Sequence, residues 1–437
     1  MNMKRITNSL FFLLSISMSA MAQTKAMYDF IVPRDGTLRE AIAAANDRKD
    51  KDERFRIFIL QGEYEIPTEG KTTGGDGRLH DDPRLFLKAP NTSIIGEDRD
   101  NTVFTNIVPL PTWNNGDGKA NPLEGIGNGD VLIIEKKSNN TYIQDLTMKN
   151  TMEDNTGRNI VLHDCADKTI AKNVCIWGYQ DTYVSDNQNA RYYFEGGIIR
   201  GRTDYICGKG DVVYNGVTFQ QCGRGGYITA PSVPRTFGYV MFDCYIKNET
   251  PEVTYYMGRP WGKGTPRAVW LNTQVDSAPI TRDNNGYNGW ADMSDGGWPA
   301  LFTEYNTTMK SNGEKLDLTQ RRSIYTDPNG IQHSNAPFLT DINAKAYSIP
   351  KVLGAWEAQA IAKDATAPTD VIVSSDKISW TGSDDALLYV VCKDSKVWFF
   401  TTDTSYKVSA KPGEKWTVRA ANQMGGLGKH IEARWED

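Results

Sequence analysis

The chain has 437 residues, 39% hydrophobic and 24% charged, with a formal net charge of -5. That balance excludes a disordered chain and allows one large domain plus a small one. The mild acidity gives no support to nucleic-acid binding, and 39 glycines favour a turn-rich β architecture. At the N-terminus, Lys4 and Arg5 precede the apolar run Leu10–Met18 and the small-residue site Ala20-Met21-Ala22. This pattern predicts a signal peptide over residues 1–22 and export to a periplasmic or extracellular location, with Gln23 first in the mature chain. The apolar run is too short to span a bilayer, and no later segment is long enough. Gln rather than Cys at position 23 argues against a lipid anchor. Gly36–Ala45 has helical periodicity suited to capping an open core, and Phe55–Gln61 reads as a buried strand.

The middle of the chain repeats. Six nine-residue segments align: Asn140–Met148, Lys168–Ile176, Arg191–Ile199, Asp211–Phe219, Gly238–Ile246 and Arg267–Val275, with starts 20 to 29 residues apart. The third position is always apolar or aromatic (Tyr142, Ile170, Tyr193, Val213, Val240, Val269) and the ninth always apolar (Met148, Ile176, Ile199, Phe219, Ile246, Val275). The sixth is Asp145, Asn173, Gly196, Gly216, Asp243 or Asn272, residue types that tolerate a left-handed backbone. The pattern reads as strand, one-residue bend, strand, once per coil. Such coils bury their apolar positions by stacking on their neighbours, as in a parallel β-helix. A β-sandwich with similar strand spacing is the alternative, but the fixed offset of the bend favours the β-helix.

Near Ala365 the composition changes, and Ala367-Pro368 marks a linker. Residues 369–437 carry about seven short strands, among them Lys377–Thr381, Leu387–Cys392, Val397–Thr401, Trp416–Ala421 and His430–Arg434, which predicts a small β-sandwich. Trp380, Tyr389 and the stretch Val418–Asn422 resemble the core aromatics and penultimate strand of fibronectin type III domains. A spacer or docking role is expected for this module. The six cysteines (Cys165, Cys175, Cys207, Cys222, Cys244, Cys392) permit disulfides in an oxidising compartment, in fifteen possible full pairings. None forms a Cys-x-x-Cys pair, and Cys207 reads as a packed thiol.

Chemistry concentrates in two motifs, Gly178-Tyr179-Gln180-Asp181-Thr182 and Gly201–Gly208 (GRTDYICG). Asp181 lies thirteen residues after Lys168, and Asp204 thirteen after Arg191. Equivalent positions in consecutive coils are expected to stack about 4.8 Å apart. Two carboxylates that close cannot both ionise freely, so one holds a proton near neutrality beside an ionised neighbour. None of the four histidines lies within a dozen residues of either aspartate, and no G-x-S-x-G, H-E-x-x-H or phosphate-binding loop occurs. Carboxylate chemistry without metal or cofactor is therefore expected. In Gly258-Arg259-Pro260-Trp261, Arg259 can clamp a carboxylate bidentately and Trp261 offers a flat face to a sugar ring. Arg200, Arg202, Lys209, Arg224, Arg235, Arg259, Lys263 and Arg267 cluster around these motifs, as a basic groove for a polyanion or as an ordinary charged face.

In combination, GYQDT at 178–182, DYICG at 204–208 and GRPW at 258–261 make the chain resemble the pectin methylesterases, from about residue 27 to 355. Asp145–Thr151, Ile228–Ala230, Trp290, Glu304-Tyr305-Asn306 and Leu339-Thr340-Asp341 support the match. The resemblance implies a right-handed parallel β-helix; with the small β-sandwich read from strand spacing, the expected fold is all-β, a β-helix over residues 23–364 followed by the sandwich over 365–437. It implies Asp204 as the nucleophile on the methyl-ester carbonyl of a galacturonate unit, and Asp181 as the general acid toward methanol and then the base toward water. Gln180 would donate to the oxyanion, and Arg259 would orient Asp204. Trp261, Arg158 and Tyr205 would contact substrate, a methyl-esterified pectin chain, with the protein acting as a monomer.

Two departures stand out. The family has a second oxyanion glutamine about 22 residues before Gln180, and Arg158 occupies that register here. Gly62 and Tyr64 match the early G-x-Y-x-E motif, but Ile66 replaces its glutamate. These changes keep open a pectin-binding β-helix with weak or lost catalysis, or an esterase for an unusual pectic substrate. A β-helical polysaccharide lyase is a third reading, separated by its unsaturated, ultraviolet-absorbing product.

Overall fold

The computed structural model describes residues 28–66, 70–73, 78–82, 84–106, 130–150, 158–262, 264–280, 286–293 and 296–436. The expected signal segment 1–22 and Lys263 lie outside these. No helix among the described residues is long and apolar enough to cross a membrane.

Three parallel sheets of ten, nine and seven strands run along the molecule, each adding strands in chain order. This is the β-helix expected from the repeat. One coil shows how it is built. Thr169–Lys172 lies in the ten-stranded sheet, Asn173 makes the bend, Cys175–Trp177 joins the nine-stranded sheet, and Tyr183–Ser185 joins the seven-stranded sheet. All six bend residues named from the sequence have positive φ: Asp145 55°, Asn173 49°, Gly196 60°, Gly216 64°, Asp243 52° and Asn272 55°. Their side chains also link coils, with Asn173 Nδ2 donating to Asp145 Oδ1 (2.6 Å) and Asn272 Nδ2 to Asp243 Oδ1 (3.1 Å).

The two apolar positions of the repeat do different jobs. The ninth-position residues pair from coil to coil, Met148 with Ile176, Ile199, Phe219, Ile246 and Val275, and fill the interior. The third-position residues also stack in register, from Tyr142 to Val269, but on the outer face of the ten-stranded sheet. Strand alternation sends Ile143, Ala171 and Tyr192 inward and their neighbours Tyr142, Ile170 and Tyr193 outward. Coil stacking alone would leave that outer stripe wet. It is covered instead by Val352, Leu353 and Trp356, by the helix Ala358–Ala362, and by Leu388, Val390, Phe400, Ala421 and Leu427 of the C-terminal module.

The N-terminal end is closed by the helix Leu38–Asp47. Its start is fixed by a capping box between Thr37 and Glu40, and its buried face (Leu38, Ala41, Ile42, Ala45) seals the coil interior. The strand expected at Phe55–Gln61 spans Phe55–Ile59.

Residues 369–435 form two four-stranded sheets with a shared core that includes Val373, Trp380, Tyr389, Val391, Trp416 and Val418. The module is not held off as a spacer. Tyr28, Phe58 and Phe400 form an aromatic cluster across the junction, with ring centroids 4.8 to 5.3 Å apart. Buried Arg419 donates to the Glu97 carbonyl (2.8 Å), and Gln144 Nε2 donates to the Leu427 carbonyl (2.9 Å). All six cysteines are free thiols, five of them buried.

Candidate active site

The two motifs sit at the corner where each coil leaves the nine-stranded sheet for the seven-stranded one. Gln180 bridges to Thr203, and Tyr183 pairs with Ile206, so Asp181 and Asp204 occupy matching places in adjacent coils. Both have left-handed backbones, φ 57° and 49°. The glycine that opens each motif is sterically required. A Cβ at Gly178 would lie 2.6 Å from the Thr182 hydroxyl, and one at Gly201 only 2.2 Å from Tyr205 Cβ.

Buried Asn159 pins the first motif. Its Oδ1 accepts from the amides of Tyr179 (2.7 Å) and Gln180 (2.6 Å), and its own amide donates to the Gln180 carbonyl (3.1 Å). This residue was not among the expected site residues; an amide side chain three residues before a strand, one coil upstream of GYQDT, is the signal that could have found it. The Gln180 side chain is half-buried and makes no hydrogen bond among the described residues, so its amide is free to donate outward.

Asp204 lies in the strand Thr203–Gly208, where the pairing with Gly226–Pro231 shifts register between Thr203 and Ile206. Such a bulge re-aims side chains. Arg259 follows the strand Tyr255–Gly258, two strands further along the sheet. Two strand spacings are about 10 Å, and the arginine spans them by lying over the ring of intervening Tyr227, 3.9 Å from its centroid. Tyr227 is itself stacked on Tyr256 at 5.3 Å. From there Arg259 Nε donates to Asp204 Oδ1 (2.8 Å) and Nη2 to Oδ2 (2.6 Å), a two-pronged charge-assisted contact.

The two carboxyls differ in partners. Burial raises Asp204 above the ordinary carboxylate value, and the Arg259 fork opposes the rise. Burial, and then the charge of Asp204, push Asp181 up to about 7, against the pull of Arg158, Arg259 and the Cys207 thiol. Asp204 therefore ionises first and Asp181 keeps its proton into the neutral range. Burial and both aspartates drive the Cys207 thiol far above its usual value, so it remains the packed neutral thiol expected.

Arg158 is placed against Asp181, its Nε 3.3 Å from Oδ2. Trp261 is 42% exposed. Tyr205 requires a correction: it is fully buried in the coil interior, where its hydroxyl accepts from Gln221 Nε2, so its side chain cannot meet a ligand. The basic cluster is partly neutralised. Arg200 pairs with Glu249, Lys209 with Asp186 and Arg235 with Asp211. Arg202 turns back to the Arg224 carbonyl and the Thr203 hydroxyl.

An ionised carboxylate held by a guanidinium, beside a carboxyl that titrates near neutrality, offers a nucleophile and a proton donor in one corner. The pectinesterase family model matches residues 132–335, a span that includes Asp181, Asp204 and Arg259. Pectinesterase A of Dickeya dadantii is 26% identical over 411 residues, covering 81% of this chain and 98% of that protein. Probable pectinesterase 56 of Arabidopsis thaliana is 27% identical over 271 residues, covering 57% of this chain and 81% of that protein. The chain spans about half (52%) of the length of pectinesterase 3 of Solanum lycopersicum, at 25% identity. In fold, the carrot pectin methylesterase aligns with a TM-score of 0.56 and 19% identity over 77% of this chain and 96% of that one. The Erwinia chrysanthemi enzyme aligns at 0.53 and 22% over 76% and 98%. By motif, family model and fold together, the chain is similar to the pectinesterases, over residues 132–335 in the family model.

Proposed function

We propose that this protein is an exported carbohydrate esterase that hydrolyses the methyl esters of galacturonate units in pectin and releases methanol. The observation that carries this reading is the Arg259 fork on Asp204 in register with protonatable Asp181. Asp204 attacks the ester carbonyl carbon and forms a C–O bond. The carbonyl oxygen becomes an oxyanion, which the Gln180 amide meets. The intermediate collapses with cleavage of the bond to the methoxy oxygen, which takes the proton of Asp181 and leaves as methanol. The acyl-enzyme is then a mixed anhydride of Asp204. Asp181, now a carboxylate, removes a proton from water as the water oxygen attacks the galacturonyl carbonyl. Breaking the anhydride bond returns ionised Asp204 and a free galacturonic acid, which gives its proton to solvent as galacturonate, and Asp181 is again protonated.

Trp261 provides a stacking face for a neighbouring sugar. Residues 1–22 act as the export signal, 23–364 as the catalytic unit and 365–437 as a fibronectin type III-like module. Arg158 favours a second reading, an esterase suited to an unusual pectic substrate or a pectin binder with weak catalysis. A cation 3.3 Å from Asp181 draws on the same carboxyl that must hold the proton, and it adds a carboxylate-binding group at the site. Methanol release from highly methylated pectin decides between them. Release by the wild type and a loss on the order of 10³-fold or more in Asp204→Asn, with unchanged circular dichroism, is expected. Tight pectin binding without methanol would establish the binder, and an ultraviolet-absorbing product would establish a lyase.

A further inference from the structure

A second cluster lies at the other end of the same sheet. Asp186 follows Asp181 by five residues, about 15 Å along an extended chain. His163 points outward from the strand Leu162–Asp164, between two buried neighbours. One ligand atom each from His163, Cys165 and Asp186 lie within 4.8 Å of one another. Cys165 is the single cysteine of the six that is not buried.

His163 stands between two carboxylates, at distances longer than good hydrogen bonds. Its Nδ1 is 3.4 Å from Asp130 Oδ2 and its Nε2 is 3.5 Å from Asp186 Oδ2. A good N–H···O bond is about 2.7–3.2 Å, and Nε2 is buried without a hydrogen-bond partner. Asp130 Oδ1 is likewise buried and unpartnered. The other oxygen of Asp186 is taken by Lys209 Nζ at 2.7 Å, which turns Oδ2 toward His163. Two ligand atoms about 2.1 Å from one tetrahedral ion stand about 3.4 Å apart. The spacing between Nε2 and Oδ2 is that of two ligands sharing an ion.

We propose that His163, Cys165 and Asp186 bind a divalent transition metal of the zinc class. Nitrogen, thiolate sulfur and a single carboxylate oxygen form a borderline-soft donor set, and the fourth position goes to water. Asp130 accepts from Nδ1–H and so presents Nε2 to the ion. Lys209 keeps Asp186 monodentate. The ion would tie the Cys165 segment of one coil to the Asp186 segment of the next, away from the paired aspartates. It takes no part in the ester chemistry proposed above.

The experiment is a Co²⁺ titration of the metal-free mature protein. The expected result is one equivalent bound, with a near-ultraviolet thiolate-to-cobalt band and the visible bands of a four-coordinate ion, displaced by Zn²⁺. Zn²⁺ should also raise Tm, because it binds the folded chain only. Cys165→Ser should abolish the thiolate band, and Asp130→Asn should weaken binding roughly 10–100-fold. A wild-type protein that shows no such band overturns the proposal, as does a band that persists in Cys165→Ser. Methanol release unchanged by chelator, with Tm lowered, separates this site from the catalytic one.

Discussion

The ten-stranded and seven-stranded sheets belong to the same coils, yet their outer faces have opposite characters. On the first, Tyr142, Ile170, Tyr193, Val213, Val240 and Val269 form an apolar stripe that the C-terminal segment and module cover. On the second, Asp181 and Asp204 share a corner with two arginines, beside exposed Trp261. Both faces follow from strand alternation. The difference lies in what closes each. An apolar face is stabilised by leaving water, whereas paired carboxyls retain their function only where a substrate can reach them. The covered face holds the fold, and the open face carries the chemistry proposed above.

Deleting residues 369–437 should break the covered side most severely. The stripe would be exposed along many coils, and the expected outcome is aggregation in size-exclusion chromatography rather than a soluble, active core. On the open side, Arg259→Lys keeps the charge but loses the fork. We expect a fall of roughly 10²-fold or more in kcat with little change in Tm, since preorganised charge at the nucleophile is lost. Phe400→Ala should do the reverse. Removing a buried aromatic costs about 3–5 kcal/mol, read as a lowered denaturation midpoint, with methanol release per folded molecule unchanged. The finest distinction comes from Arg158→Gln. Arg158 lowers the pKa of Asp181, so its removal raises it. In the proposed first step Asp181 must be protonated, so the alkaline limb of kcat/KM, expected near pH 7, should move to higher pH. A limb that stays in place or moves to lower pH would remove Arg158 from the acid's surroundings.

Much of this was legible in the sequence because it is periodic. The bend residues and the matched offsets of Asp181 and Asp204 depend on local backbone preference and coil length, and both reappear in the structure. Arg259 was legible as a clamp because its residue type admits few other uses near a carboxylate. What escaped were contacts between positions far apart in the chain. Tyr28 meets Phe400, and Glu97 meets Arg419, through packing that no local pattern encodes. Third-position residues were apolar for a cover that begins some 80 residues beyond the last repeat (Val275 to Val352 and onward). Tyr205 was misplaced for a simpler reason. Neighbours in a strand face opposite ways, so an outward Asp204 already implied an inward Tyr205.

The left-handed backbone at Asp181 and Asp204 also limits how this site can change. Asn and Gly accept that conformation, whereas most other side chains strain it by about 1–2 kcal/mol. An alanine at either position would therefore confuse a lost carboxyl with a distorted corner. Asn is also one nucleotide from Asp. A lineage abandoning the reaction would thus have a short, structurally silent path: one base change at either codon yields a chain that folds, stacks its coils and holds the same surface, with the chemistry gone.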